Sequence, residues 1–226
     1  MQIHLAILDA DVPVPAVYAK RGLYSSQFRS LLLAAASRLN AADLVENPVD
    51  IQTTAFDVVG GCFPPFEWLL SSTSSAASTS LNGNANVNGN ANANANANTN
   101  TNGNGAPRPI SAILVTGSAA AAYDKANNPW IQPLQEFLQR VYVDYPAVKI
   151  LGSCFGHQII AQALLDPTQQ PKQQQQALQK QELQKQTGLK VEACPHGYEI
   201  GVLPIALSEE FVCAFPRLAR YIKSKH

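Results

Sequence analysis

Val148-Lys149-Ile150-Leu151-Gly152-Ser153-Cys154-Phe155-Gly156-His157-Gln158-Ile159-Ile160-Ala161-Gln162-Ala163-Leu164 is the stretch that decides the fold. A short apolar run enters Gly-x-Cys-x-Gly, and a helical pattern follows without a break. This is the cysteine form of the nucleophile elbow, a tight strand-to-helix turn that lifts a reactive side chain above the rim of a sheet. The two glycines suit such a turn because backbones meet closely there and a Cβ on either would clash. The turn also sets the sulfur at the N-terminus of the following helix, where unpaired N–H groups and the helix dipole favour thiolate over thiol. A lone Gly-x-Cys-x-Gly would read as a buried structural cysteine. Here the strand, both glycines, the His157-Gln158 pair and the helix coincide, which favours a nucleophile.

The rest of the chain reads as alternating strands and helices. Ile3 to Leu8 is a buried first strand ended by the Asp9-Ala10-Asp11-Val12-Pro13 turn. A helix follows from about Ser25 to Leu39, with Phe28, Leu31, Leu32, Ala35 and Leu39 as its core-facing stripe. Phe56 to Val59 is a second strand and Ile110 to Val115 a third, closed by Thr116-Gly117-Ser118. Trp130, Leu134, Phe137, Leu138 and Val141 mark another amphipathic helix, with Asn127 or Asn128 as its cap and Pro129 in its first turn. Val148 to Leu151 and its helix come next, and Leu189 to Glu192 and Tyr198 to Leu207 read as extended. The alternation predicts an α/β fold of the flavodoxin-like kind, a mostly parallel sheet with helices on both faces. Ligands of such folds sit at the carboxyl ends of the strands, where the Gly117 and Cys154 turns both fall.

The bulk numbers bound the partners. The 226 residues, 46% of them apolar, suit one globular domain spanning 1–226. Two tracts lie outside its core. A Ser/Asn/Ala-rich insert at 71–107 includes an Asn-Ala alternation with almost nothing to bury and is expected to be disordered. A Gln-rich insert at 166–187 reads as a solvated helix or disorder. Formal charge is zero and no basic block occurs, which argues against nucleic acid and anionic membrane as partners. Cys62, Cys154, Cys194 and Cys213 form no C-x-x-C pair, so neither a zinc site nor a disulfide framework is expected. The N-terminus lacks the basic and apolar regions of a signal peptide, and no run is long enough to span a bilayer. A reducing, cytosolic setting is the expectation. No nucleotide-binding glycine pattern or metal cluster occurs, so no cofactor is expected.

Five segments together carry a family resemblance: Leu8-Asp9 with the Pro13 turn; Phe56-Asp57-Val58-Val59; Leu114-Val115-Thr116-Gly117-Ser118 with Tyr123-Asp124 and Trp130-Ile131; Ile150 to Gln158; and His196-Gly197-Tyr198-Glu199-Ile200-Gly201-Val202. In these the chain resembles the class I glutamine amidotransferase-like proteins, particularly the small stand-alone cytosolic type of fungi and plants. The resemblance implies that Cys154 attacks the side-chain amide carbon of glutamine, giving a γ-glutamyl thioester and releasing ammonia. It implies an oxyanion site between the backbone N–H groups of Gly117 and Phe155, and substrate contacts at Gln158 and Ser118. Without the family context, Gly117 is simply a turn glycine and Gln158 an exposed helix glutamine.

The resemblance further implies a His-x-Glu pair near the C-terminus, the histidine moving the proton and the carboxylate orienting it. This chain contains no such pair, and the likeness fades after Val202. The fold is therefore expected to be incomplete at its C-terminus, with strand edges and apolar sheet surface left uncovered. His157 reads as a structural helix residue, His196 as a surface turn residue, His4 as part of the first strand and His226 as the terminal residue. None is assigned as a catalytic base. Three readings follow: an amide hydrolase acting on glutamine, a hydrolase of γ-glutamyl peptides using the same apparatus, and a remnant or binding protein without catalysis. A fourth, weaker kinship is with elbow-cysteine chaperones and proteases; Gln158 and Tyr198-Glu199-Ile200-Gly201 argue against it. The expected partner is a small γ-glutamyl compound.

Overall fold

The computed structural model describes residues 1–42, 45–71, 108–165, 191–195, 197, 206–214 and 216. Both inserts lie outside these residues apart from Ser71, as do His196, His226 and most of the extended segments expected from Leu189 onward. The chain forms two compact units, Met1–Glu192 and Ala193–His226.

Four strands make up the first unit's sheet: β1 (Gln2–Asp9), β2 (Asp50–Asp57), β3 (Ala112–Val115) and β4 (Lys149–Gly152). They lie in the order β2-β1-β3-β4, and every pairing is parallel. The helices are α1 (Pro15–Arg21), α2 (Tyr24–Ala41), α3 (Ile131–Asp144) and α4 (Phe155–Leu165), with a single 3-10 turn at Phe66–Trp68. This is the α/β architecture with helices on both faces of a parallel sheet. The chain leaves β1 to one side for β2 and returns on the other for β3, so the strand order reverses between β1 and β3. In open parallel sheets the carboxyl ends of strands at such a reversal are where ligands bind.

The alternation along each strand divides the core. Ala6, Leu8, Ile113 and Val115 face α3 and α4, where they join Ile131, Leu134, Leu138, Val141, Phe155 and Ile159, all 0% exposed, in the larger apolar cluster. Leu5, Ile7, Ala112 and Leu114 face the opposite way, onto Phe28 and Leu32 of α2. Each fully buried Leu or Ile contributes roughly 1.5–3 kcal/mol, so the α3/α4 side dominates the stability. Arg140 lies over the Phe66 ring, 3.9 Å from its centroid, and extends that side outward. No helix among the described residues is long and apolar enough to cross a membrane. In the second unit, α5 (Glu209–Ala214) starts where Ser208 Oγ accepts the Phe211 N–H at 3.2 Å.

Several expected details are corrected. The inward row of α2 is the buried Ser25 and Ala36 with the partly buried Phe28 and Leu32, whereas Leu31, Ala35 and Leu39 are exposed, Leu31 by 63%. Two tethers set the roll of the helix. Asp9 Oδ1 accepts the Ser25 N–H at 2.9 Å, and Asn40 exchanges two hydrogen bonds with the Val49 backbone. Ser25 and Asn40 extend the Phe28-Leu32-Ala36 row at either end, so pinning both turns that row onto the sheet. The second strand runs from Asp50 to Asp57 rather than Phe56 to Val59, and Val58 begins a turn. Its paired length matches β1 residue for residue, and being at an edge it tolerates Gln52, Thr53 and Thr54 where an apolar run was sought. Trp130, not an asparagine, holds the cap position of α3, and the first-turn proline is Pro133 instead of Pro129. The Asn128 amide is bonded to the Asp124 carbonyl at 3.1 Å and is committed to the preceding turn. Helix α1, which buries no residue, had no apolar pattern to announce it.

Two buried titratable groups respond to pH in opposite senses. His4 donates Nδ1–H to the Arg108 carbonyl at 2.7 Å and accepts from Thr54 Oγ1 at 2.9 Å. Burial lowers its pKa below 6.5, and the Arg108 charge adds to this against the carbonyl bond's opposing pull. The neutral ring is thus the folded form. The stability it confers is complete above about 6.5 and is lost as pH falls from there through the lowered folded value. Urea unfolding at pH 7.5, 6.5 and 5.5 is expected to show that acid loss in the wild type, and His4→Gln to remove that part of the slope. Burial raises the Asp9 pKa above 3.8, aided by the Asp57 charge and opposed by Ser25. Ionised Asp9 therefore costs stability at neutral pH, and the cost vanishes as pH falls through the raised value. Asp9→Asn keeps an acceptor for Ser25 and is expected to unfold at higher urea than wild type at pH 7.5. Asp9→Ala, with no acceptor, is expected to lie about 1–2 kcal/mol below Asp9→Asn.

Candidate functional site

Cys154 sits between the end of β4 and the start of α4 with φ at 52°, the only positive φ at a non-glycine among the described residues. A β-carbon in that left-handed conformation costs roughly 1–2 kcal/mol, so the surrounding structure must hold it there. Close packing does so. A Cβ on Gly152 would overlap the backbone of Gly156 and His157, and one on Gly156 would overlap the Val115 carbonyl. The strand end, the first turn of the helix and the neighbouring strand therefore meet backbone to backbone, and only glycine fits at both contacts. Hydrogen bonds fix the same geometry: the Ser153 N–H donates to the Val115 carbonyl at 3.0 Å, and the Gly156 N–H to the Ser153 carbonyl at 2.8 Å. The turn exposes the Cys154 side chain.

Beneath the turn, Phe155 is fully buried and its ring lies 5.4 Å from that of Trp130, which closes the loop before α3. The Phe155 side chain is thus an anchor directly after Cys154 in the chain. Gly117 approaches from the β3 side. A Cβ placed on it would lie 3.6 Å from the Cys154 Cβ, an ordinary contact. Among the described residues, the N–H groups of Gly117 and Phe155 donate to no protein acceptor. Both residues therefore adjoin the exposed Cys154, Phe155 along the chain and Gly117 across the turn.

The loop carrying Gly117 is laced to the end of β1. Thr116 Oγ1, fully buried, accepts the Ala10 N–H at 2.9 Å and reaches the Gly117 carbonyl at 3.3 Å. Asp11 accepts the Ala119 N–H at 2.7 Å through Oδ2, with the Ser118 hydroxyl 3.4 Å away, and its own chain's Val12 N–H at 2.7 Å through Oδ1. Ser118 Oγ in turn accepts the Ala120 N–H at 3.1 Å, so this hydroxyl is engaged within the loop. Gln158 is half-buried one turn into α4, with its N–H on the Cys154 carbonyl at 3.3 Å. His157 is exposed on the same helix. His4 belongs to the opposite end of the sheet, held by Arg108 and Thr54. The structure thus brings Cys154, Gly117 and Phe155 together, with Ser118 and Gln158 one step further out. Sequence reasoning gave Thr116, Asp11 and Trp130 no role in the site. Asp11 stood in a recognised turn at a strand end, but its partner lies 108 residues away in the chain.

No family model and no solved structure matches the chain. A curated protein of Schizosaccharomyces pombe, named as glutamine amidotransferase-like, is 52% identical to it over 54 residues. That segment is 24% of this chain and 21% of the relative, so the match covers about a fifth of the relative's length.

The strained turn gives a stability signature independent of any activity. Cys154→Gly removes the Cβ from the left-handed position, whereas Cys154→Ala retains it. The glycine variant is expected to be roughly 0.5–1 kcal/mol more stable than the alanine variant, the relieved strain less the cost of ordering glycine. Thermal melts of the two variants check this.

Proposed function

We propose that this chain, a relative of the glutamine amidotransferase-like proteins, is a class I-type amide hydrolase whose nucleophile is Cys154. The observation that carries the reading is the left-handed Cys154 turn, exposed above the sheet rim and flanked by the unbonded N–H groups of Gly117 and Phe155. A strained, exposed, non-glycine residue where glycine would be at ease supports a functional reading, since such strain clusters at functional sites.

In the proposed reaction the Cys154 sulfur attacks the side-chain amide carbon of glutamine. A C–S bond forms and the carbonyl π pair moves onto oxygen, which the N–H groups of Gly117 and Phe155 stabilise. The pair returns, the C–N bond breaks and the nitrogen leaves as ammonia after taking a proton. Water then attacks the γ-glutamyl thioester, releasing glutamate and restoring the thiol. Gln158 and the Ser118 region hold the glutamyl part of the substrate. The cytosol, where the thiol stays reduced, is the setting in which this chemistry would operate. A γ-glutamyl peptide presents the same carbonyl with a larger leaving amine and would pass through the same thioester.

The test is glutamate release from glutamine and, separately, from a γ-glutamyl dipeptide, using wild type and Cys154→Ala. Release from either substrate is expected to fall by at least about a thousand-fold in the variant, the scale of losing a covalent nucleophile. A thiol-reactive glutamine analogue is expected to label wild-type Cys154 saturably. Release that persists in Cys154→Ala would overturn the role of Cys154, and no release by wild type from either substrate, with labelling no faster than at an ordinary free thiol, would overturn the proposal in favour of a binding protein or an inert relative.

A further inference from the structure

The geometry points to Asp11 as the positioning residue of this site: its carboxylate holds the Gly117–Ala120 loop against Cys154 and so sets where an oxyanion is received. The inference rests on the reading of Cys154 as an acyl-accepting nucleophile and adds a residue that neither the motif nor the family likeness assigns.

Three facts carry it. The Ala119 N–H donates to Asp11 Oδ2 at 2.7 Å, a short charge-assisted bond between the loops that leave β1 and β3. The Ser118 hydroxyl stands 3.4 Å from the same oxygen and receives the Ala120 N–H, so the carboxylate organises three consecutive loop residues. Gly117 is the residue immediately before them, and it is the one that faces the Cys154 Cβ. Asp11 is itself fixed, since its other oxygen accepts the Val12 N–H at 2.7 Å. Thr116 anchors the loop on the buried side through Ala10; on the open side, Asp11 supplies the anchors among the described residues. Without it, Gly117 keeps its place in the chain but its N–H loses a fixed direction. Preorganised donors act because no reorganisation is needed as charge develops. A loop free to swing forfeits that advantage while leaving the thiol exposed.

The two ways of modifying a thiol separate these effects. Acylation by 4-nitrophenyl acetate forms the C–S bond, places a charge on the carbonyl oxygen and then expels 4-nitrophenolate. Alkylation by iodoacetamide forms the C–S bond as iodide leaves, with no oxyanion at any stage. Both rates are read at Cys154 by peptide mass mapping of the full chain; exposed Cys62, Cys194 and Cys213 supply the baseline of an unassisted thiol. Asp11→Ala is expected to lower Cys154 acylation by about 10- to 100-fold, part of what deletion of an oxyanion donor costs, with alkylation nearly unchanged. Asp11→Asn keeps an acceptor oxygen for Ala119 and is expected to recover most of the loss. Equal falls in both rates, no fall in acylation, or an asparagine variant no better than alanine would overturn the role of Asp11. Wild-type Cys154 acylated no faster than the three baseline cysteines would overturn the nucleophile reading and this inference with it.

Discussion

The Val115 carbonyl meets the first turn of α4 at Gly156 with no space between them for a side-chain carbon, and Gly152 meets that same turn from the other side. This backbone-to-backbone contact is the constraint on which the rest of the structure depends. It draws β4 and α4 tightly against the central strand β3, and the residue between them has to turn left-handed to make the connection. That residue is Cys154. The apolar cluster of Phe155, Ile159, Leu134, Leu138 and Val115 supplies the packing that keeps the contact shut. The roughly 1–2 kcal/mol of local strain is small against the burial of several side chains at about 1.5–3 kcal/mol each.

The contact joins the dominant core to the rim that carries Cys154. On the α3/α4 side of the sheet, large side chains are fully enclosed and Phe155 and Trp130 fill the space beneath the turn. At the carboxyl ends of β1 and β3, polar groups replace them: Asp9 holds the start of α2, Thr116 ties the two strand exits together, and Asp11 ties the loops beyond them. The burial that raises the Asp9 pKa is a cost accepted at this rim. A purely apolar rim would leave the Ser25 and Ala10 N–H groups without acceptors.

Two other parts of the molecule are less committed. Among the described residues, helix α2 packs the large apolar side chains Phe28 and Leu32 onto its face of the sheet and leaves Leu31 and Leu39 outward. Leu151 of β4 is 52% exposed on that same face. The two faces of the sheet are thus unequally filled, and the site is built on the better-filled one.

The sequence by itself determined the parallel α/β class, the strand-turn-helix around Cys154 and the place of the Gly117 turn at a strand end. Each is written locally, in an apolar run of four or five residues, a glycine at a fixed offset or a helical stripe. Tertiary structure alone decided the roll of α2, the full extent of β2, the start of α3 and the bonds from Asp9, Asp11 and Thr116 to distant backbone. The physical reason is range. An apolar period names a set of faces without choosing among them, as Phe28 with Leu31 and Phe28 with Leu32 both satisfied it. A short polar side chain satisfies whichever donor the folded chain brings within about 3 Å, and nothing in the neighbourhood of Asp11 announces a partner 108 residues away.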